Sequence, residues 1–556
     1  MVKKELDQFC GVRVRSYFLC PVFLPLLVFV IGHIARYAPS SKFQNQQKYK
    51  SKLLNLFFHH YSGLSNTKIY MWANILLWAI VVVYIGLILS TVTVVLLENR
   101  QPAKTIAWTI VLVMLPIVGF IIFYFFGQNI RKERYISRRQ YSLLTQRMMA
   151  DVADIATTEA PPRYAPLVQL FEHTNHAILT PAKHIDCYTT GAEWLQALLR
   201  EFSKAKECIM LETYIIDNDA VGRLVRDALI DKCRQGVRVM FIYDDVGCWN
   251  VKQPFFQPII DAGGEVHPFL PVRFPSMTHK VNYRNHRKLC IIDRRVGFIG
   301  GMNLALRYVS SRCRPWRDMH LRIEGGAVAD MQRLFLTDWV FVTGKQDLST
   351  DRLPSNHASQ PIAKEDDTTV AQAPSTLLQI VPSNPVSRYP EIMYGLTWII
   401  QHAKRYLYIQ TPYFMPTEPI LQALQTAAMS GVDVRLMVPS QPDGFWLRWV
   451  NDSYFTVVLQ AGIRVFTYNA GFLHSKCAVA DDDWCTVGSS NMDFRSFENN
   501  FEANAFIYGK KAATSVKEIF MNDLNACTEV RINQWRKRPW RRRLLESYTR
   551  ILAPLL

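Results

Sequence analysis

Two stretches of this chain carry the same polar residues at the same spacing, and that duplication constrains the fold more than any other feature. The first reads His286-Arg287-Lys288, then Asp293, then Gly300-Gly301-Met302-Asn303. The second reads His474-Ser475-Lys476, then Asp481, then Gly488-Ser489-Ser490-Asn491, so His, Lys, Asp, Gly and Asn recur at offsets 0, 2, 7, 14 and 17. One such motif would be only suggestive, whereas two copies with matching Gly and Asn imply an internal repeat. The flanks repeat as well: Ala205–Tyr214 parallels Ala403–Tyr413, and each is followed by an amphipathic helical stretch, 223–234 and 419–430. Each helix runs into Gly-Val-x-Val (Gly236–Val239 and Gly431–Val434), with Gly placed as a C-cap ahead of a buried strand. Strands alternating with helices predict an α/β fold in which two pseudo-twofold-related domains each hold a mixed, substantially parallel sheet flanked by helices. The boundaries that follow are 165–345 for the first domain, 376–556 for the second with its basic tail, and a Ser/Thr/Asp/Gln/Pro-rich linker or loop at 346–375.

The repeated residues suit phosphoryl chemistry. In the strand-rich stretch Asn285–Ile292, His286 and Lys288 are two apart and project to one face, and the same holds for His474 and Lys476. Bringing the halves together gathers two imidazoles and two ammonium groups at one spot, a site for a phosphodiester. The lysines and the amides of Asn303 and Asn491 would hold non-bridging oxygens and stabilise developing charge. One neutral histidine attacks phosphorus while the other, protonated, donates to the leaving oxygen. This chemistry calls for no cofactor, and no Cys/His/carboxylate cluster has metal-ligand spacing. A single strand histidine is more often a core residue than a catalyst; the repeat reverses that expectation. Asp293 and Asp481 complete the candidate catalytic set, although each follows a hydrophobic run and also suits a turn-capping role. Asp318 and Glu502 are better placed to orient the imidazoles, lying 28 to 32 residues past the histidine of their own half.

Upstream, Met71–Leu97 and 105–127 contain no charge and are joined by a short polar segment, which predicts a transmembrane helical hairpin over 71–130. Pro116 lies inside the second stretch, where membrane helices tolerate it. Arg131, Lys132, Arg134, Arg138 and Arg139 follow directly, which places the rest of the chain in the cytoplasm by the positive-inside rule. The eleven cysteines lack C-x-x-C pairing and fit a reducing compartment. The net charge of +18 is concentrated in this basic run and in Arg536–Arg543, clusters that suit a polyanion such as an anionic membrane. Residues 1–70 are a separate extension: Tyr17–Ala35 reads as a third span, a signal-like segment, or sequence upstream of a start near Met71.

The paired motifs resemble the phospholipase D superfamily. Within it, Asn99–Lys104, Trp316-Arg-Asp-Met-His320, Thr411–Pro416, Ser496–Glu502 and the ending Arg550–Leu556 look like bacterial cardiolipin synthases over about residues 71–556. The resemblance implies two phospholipase D-like domains behind a membrane hairpin in a multi-pass protein of the cell inner membrane. It implies transfer of a phosphatidyl group between two phosphatidylglycerol molecules through a phosphohistidine, with release of glycerol and with no nucleic acid as partner. It also makes His286 the nucleophile and His474 the acid. A different phospholipid or acceptor alcohol, water included, would use the same residues. A nuclease of the superfamily would not explain the hairpin.

Overall fold

The computed structural model describes residues 67–97, 102–123, 159–272, 282–310, 315–344, 376–551 and 553. The readings made for 1–66, for the basic run 131–139 and for the linker 346–375 lie outside these. The chain divides into two units, 1–94 and 95–556. In the first, the uncharged run forms the helix Thr67–Leu97, within which Met71–Thr93 is long and apolar enough to cross a bilayer. Its Trp72, Leu76, Trp78 and Val82 are exposed. The second apolar stretch is not one continuous helix: it divides into Pro102–Met114 and Pro116–Ile122 with a break at Leu115. Pro116 has no N–H to donate into the preceding turn, so the helix breaks before it.

The first half of the larger unit contains β1 (Thr180–Thr190), β2 (Cys208–Thr213), β3 (Arg238–Asp244) and β4 (Glu265–Phe269). It continues with β5 (Arg284–Asn285), β6 (Leu289–Ile292), β7 (Val296–Gly300) and β8 (Trp316–Gly325). The second half contains β9 (Thr376–Ser383), β10 (Tyr406–Gln410), β11 (Phe414–Met415), β12 (Asp433–Pro439), β13 (Arg464–Tyr468) and β14 (Phe472–Leu473). It ends with β15 (Cys477–Ala480), β16 (Trp484–Gly488), β17 (Met492–Asp493), β18 (Asn500–Tyr508) and β19 (Cys527–Val530). Pairing runs β4-β3-β2-β6-β7-β8-β1 in the first half and β13-β12-β10-β15-β16-β18-β9 in the second, and β1 and β9 join the two antiparallel.

The sheet is less parallel than the alternation of strands and helices implies. In the main sheet, parallel pairing within each half is confined to β2-β3-β4 and β10-β12-β13, where crossover helices such as Ala220–Arg234 and Glu418–Met429 intervene; β11 and β17 form a separate parallel pair. The motif strands β6 and β15 instead turn straight back into β7 and β16 through Asp293-Arg294 and Asp481-Asp482, all at positive φ. Turns that tight join only antiparallel strands.

Alternation along each strand separates three cores. In β2, Met210 faces a central core with Phe335, Trp339 and Phe520, while Ile209 and Leu211 face a layer with Trp194, Phe202 and Val225. In β10, Tyr408 faces the central core, and Leu407 and Ile409 face a third layer with Ile399, Leu424 and Phe455. The central core draws side chains from both halves, so neither half buries its inner face alone.

Candidate active site

Two short parallel pairings between the halves assemble the site. β5 pairs with the start of β18 (Arg284 with Asn500, Asn285 with Phe501), and β14 pairs with the start of β8 (Phe472 with Trp316, Leu473 with Arg317). Each ladder is continued by a backbone bond, His286 N–H to the Phe501 carbonyl at 2.9 Å and His474 N–H to the Arg317 carbonyl at 2.7 Å. The register therefore sets each motif histidine beside the carboxylate next along the opposite half. His286 Nδ1 lies 3.0 Å from both oxygens of Glu502, and His474 Nδ1 lies 2.5 Å from Asp318 Oδ2. The partnership is crossed: each acid serves the histidine of the other half, not the one preceding it in its own.

All of these groups are buried. Burial lowers His286 to about 4 against the opposing pull of Glu502, with Lys288 adding to the fall. Burial lowers His474 to about 3, and neighbouring Lys476 adds to it. Both imidazoles are thus neutral in the free protein, and a carboxylate at Nδ1 fixes the tautomer that leaves Nε2 with its lone pair available. Burial alone would raise Glu502 and Asp318, but the cations and hydrogen bonds around each outweigh it and hold both below the usual range. Lys288 Nζ donates to the His286 carbonyl at 2.5 Å and lies 5.2 Å above the Tyr214 ring. Lys476 Nζ donates to the His474 carbonyl and stands 2.8 Å from His474 Nδ1 and 3.9 Å from Asp318. One ring nitrogen cannot donate to Asp318 and also accept from Lys476, so with Nδ1–H on Asp318 the ammonium acts as an adjacent charge. Desolvation brings Lys288 down to about 7 and Lys476 to about 8, each partly held up by Glu502 and Asp318.

The remaining candidates sort differently. Asn303 is occupied structurally: its Oδ1 accepts from Ile215 N–H at 3.1 Å and its Nδ2 donates to the Tyr308 hydroxyl at 2.5 Å. Asn491 is buried, and among the described residues its Oδ1 has no hydrogen-bond partner. Asp293 and Asp481 do not join the cluster. They lie at the far ends of β6 and β15, seven residues from their histidines, a span on the order of 20 Å in extended chain. Asp293 accepts the backbone N–H groups of Lys206, Glu207 and Cys208 at 2.8 to 2.9 Å, and Asp481 accepts those of Lys404, Arg405 and Tyr406 at 2.7 to 3.0 Å. Their place in the repeat reflects this tie between the β6–β7 or β15–β16 turn and the start of the neighbouring strand, and not proton transfer. Gly300 and Gly488 recur for a steric reason. A Cβ on Gly300 would meet the Met319 carbonyl at 2.5 Å, and one on Gly488 the Asn504 amide oxygen at 2.2 Å.

Several contacts were not anticipated. Ser489 Oγ donates to Glu502 at 2.5 Å, and Asn500 Nδ2 donates to it at 3.2 Å. Tyr214 packs edge-on to His286 at 4.9 Å, while Tyr308 and Trp316 lie 5.6 Å and 5.0 Å from His474. Ser489 sits inside the second motif and Tyr214 closes a repeated segment, so the repeat held a signal for both. Arg287, the residue between His286 and Lys288, donates to the Glu502 carbonyl at 3.1 Å and pairs with Asp338, tying the halves together at the site. Among the described residues, no group of three or more His, Cys, Asp or Glu is arranged to hold a metal ion.

Residues 198–339 and 396–524 match the family described as "Cardiolipin synthase, PLD-like domain", and 75–128 match "Phospholipase_D-nuclease N-terminal". The chain is 37% identical over 480 residues to the cardiolipin synthase of Geobacillus kaustophilus, covering 85% of this chain and 92% of that one. It is 36% identical to the cardiolipin synthase of Clostridium perfringens over 466 residues, 83% of this chain and 96% of the relative. The crystal structure of phosphatidylserine synthase from Haemophilus influenzae superposes with a TM-score of 0.52 at 13% identity, covering 70% of this chain and all of that one, which shows a shared fold.

Proposed function

This chain belongs to the cardiolipin synthase family of phospholipase D-like proteins, and from that premise we propose that it joins two phosphatidylglycerol molecules through a phosphohistidine. The observation that carries the reading is the crossed pairing of His286 with Glu502 and of His474 with Asp318. The lone pair on His286 Nε2 forms the N–P bond as the P–O bond to glycerol breaks, and His474 delivers a proton to the departing oxygen. A hydroxyl of the second phosphatidylglycerol then gives its proton back to His474 and attacks phosphorus, breaking the N–P bond. The phosphorylated imidazole, protonated at Nδ1, is cationic, and Glu502 stabilises it. Lys288, Lys476 and the Asn491 amide hold the non-bridging oxygens. His474 is neutral at rest, so the site takes up its working proton together with the anionic phosphodiester, whose charge raises the imidazole.

The test is to incubate the purified full chain with labelled phosphatidylglycerol and separate the lipids. Cardiolipin and glycerol are expected, whereas phosphatidate would identify water as the acceptor. His286→Ala and His474→Ala should each lower turnover by roughly three orders of magnitude or more, because the pair acts as a unit. Lys288→Ala and Lys476→Ala should be nearly as damaging. Wild-type-like synthesis by either histidine variant overturns the mechanism, as does abolition by a chelator reversed by one particular metal.

The protein is membrane-associated. We place both ends of the segment 71–127 and the catalytic halves on the cytoplasmic side. A thiol reagent applied from outside should then reach a cysteine placed at Gln101 but not one placed at Ser349, and the reverse pattern would refute this orientation.

A further inference from the structure

The helix Trp540–Ile551 is attached to the protein by its polar face, the reverse of an ordinary surface helix. Arg542 pairs with Asp452 at 2.7 Å on the helix Phe445–Gln460, and Glu546, itself buried, accepts from Arg538 at 2.8 Å and from Arg542 at 3.1 Å. Thr549 is buried on the same side. Turned outward, at positions i, i+4, i+8 and i+11, are Trp540, Leu544, Tyr548 and Ile551, between 47% and 73% exposed. Exposed Arg536, Lys537, Arg541 and Arg543 flank this stripe.

A second exposed apolar group adjoins it. Phe445 and Trp446 open the helix Phe445–Gln460 at 70% and 50% exposure, and Phe445 packs within 6.3 Å of Trp449. The Arg542 guanidinium in turn lies 5.7 Å from the Trp449 ring, which links the aromatic group to the basic helix. Phe445 follows closely on Asp443, whose carboxylate accepts from the Tyr413 hydroxyl at 2.8 Å, and Asn451 of the same helix accepts from the Phe414 N–H at 2.9 Å, where Phe414 pairs with Met492 next to Asn491. The apolar patch is therefore carried by a helix tied directly to the strand pair beside Asn491.

We propose that the outward face of Trp540–Ile551, together with Phe445 and Trp446, is an interfacial docking surface that seats the active-site mouth on an anionic lipid bilayer. Three features identify the occupant as lipid. Trp and Tyr mixed with aliphatic residues suit the boundary between headgroups and acyl chains. The flanking charges are all basic, complementary to anionic headgroups, each contributing about 1 kcal/mol near such a surface. The patch also lies beside a site whose proposed substrates are themselves anionic lipids. The inference rests on the phosphatidyl-transfer reading for that last point alone.

The experiment uses the full chain reconstituted in vesicles of phosphatidylcholine with roughly 30% phosphatidylglycerol, which gives the bilayer a negative surface potential. A genetically encoded environment-sensitive fluorophore is placed at Trp446, at Tyr548, or at exposed Lys511 in the first turn of the helix Lys510–Leu524, which packs against the central core on the other face of the sheet. Spin-labelled lipids should quench the first two probes and not the third. In parallel, the triple variant Trp540→Ser/Leu544→Ser/Tyr548→Ser should lose about tenfold in kcat/KM on vesicle lipid while keeping wild-type rates on monomeric short-chain phosphatidylglycerol. Unquenched probes at Trp446 and Tyr548 would overturn the proposal. So would shielding of these probes that depends on protein concentration without lipid, which would assign the face to a second copy. Loss of activity on both substrates together with loss of the folded state by circular dichroism would also overturn it, making the stripe structural. If the wild type makes no cardiolipin yet the probes are quenched, the docking surface stands and the substrate reading fails.

Discussion

Replacing Glu502 by Gln removes a charge while leaving the shape of the site almost intact, which makes it the sharpest test of the crossed dyad. Glu502 is fully buried and accepts from His286 Nδ1 at 3.0 Å, from Ser489 Oγ at 2.5 Å and from Asn500 Nδ2 at 3.2 Å. A glutamine can keep its oxygen toward His286 and Asn500 and turn its amide toward Ser489, whose hydroxyl rotates to accept, so the imidazole stays oriented. What disappears is the interaction between a full negative charge and the cationic phosphoimidazole. At 3.0 Å and an effective dielectric near 20 that attraction is about 5 kcal/mol. Allowing for relaxation of the two remaining donors leaves about 4 kcal/mol, or roughly a thousandfold in kcat, with KM changed much less. Lys288 also loses a counter-charge that holds its pKa up, so the alkaline fall in kcat/KM should move to lower pH in the variant. Initial rates of cardiolipin formation from labelled lipid across pH, alongside thermal melting, read both effects. A Glu502→Gln protein that melts like wild type and works within tenfold of it would refute the role assigned to this carboxylate.

In the wild type, Lys288 at about 7 and Lys476 at about 8 lie below the ordinary lysine value, so the cations are lost as pH rises. kcat/KM should fall through that range, while the limb in kcat lies higher because bound phosphate favours the charged lysines; coincident limbs would count against phosphate binding by these residues. Glu212 is buried against Asp338 and pushed well above the carboxylate range by burial first and by Asp338 second. In the second half the corresponding Gln410 donates to Asp523 at 2.8 Å, so Glu212→Gln should keep activity within about threefold. A carboxyl whose folded pKa is raised loses stability as pH climbs from the ordinary carboxylate range toward that raised value; the variant's melting temperature should therefore fall less than wild type's as pH rises from the acid range toward neutrality, and an unfolded variant would disprove the protonated assignment. Gly488→Ala drives a Cβ to 2.5 Å from the Ala503 carbonyl and should cost about 1–3 kcal/mol in a denaturant titration; an unchanged midpoint would show that the repeat keeps glycine there for another reason.

The sequence alone determined that the protein is a duplicated α/β enzyme behind an apolar membrane segment, and that His286, Lys288, His474 and Lys476 form its candidate reacting set. These are local properties: a period of two along a strand, a glycine past a helix, an uncharged run of spanning length, and a repeat whose offsets survive in both halves. The same offsets could not separate residues retained for chemistry from those retained for geometry. Asp293 and Asp481 recur because each, from a turn at positive φ, accepts three backbone N–H groups where the neighbouring strand β2 or β10 begins, and Gly300 and Gly488 because a neighbouring strand runs too close for a Cβ. Only the tertiary structure decided which carboxylate meets which imidazole. Sequence distance puts Asp318 after His286 and Glu502 after His474, yet the ladders β5–β18 and β14–β8 pair strands from opposite halves and exchange the partners. The likeness between the two halves makes both pairings equally legible in the chain, and only the register of hydrogen bonds between them selects one.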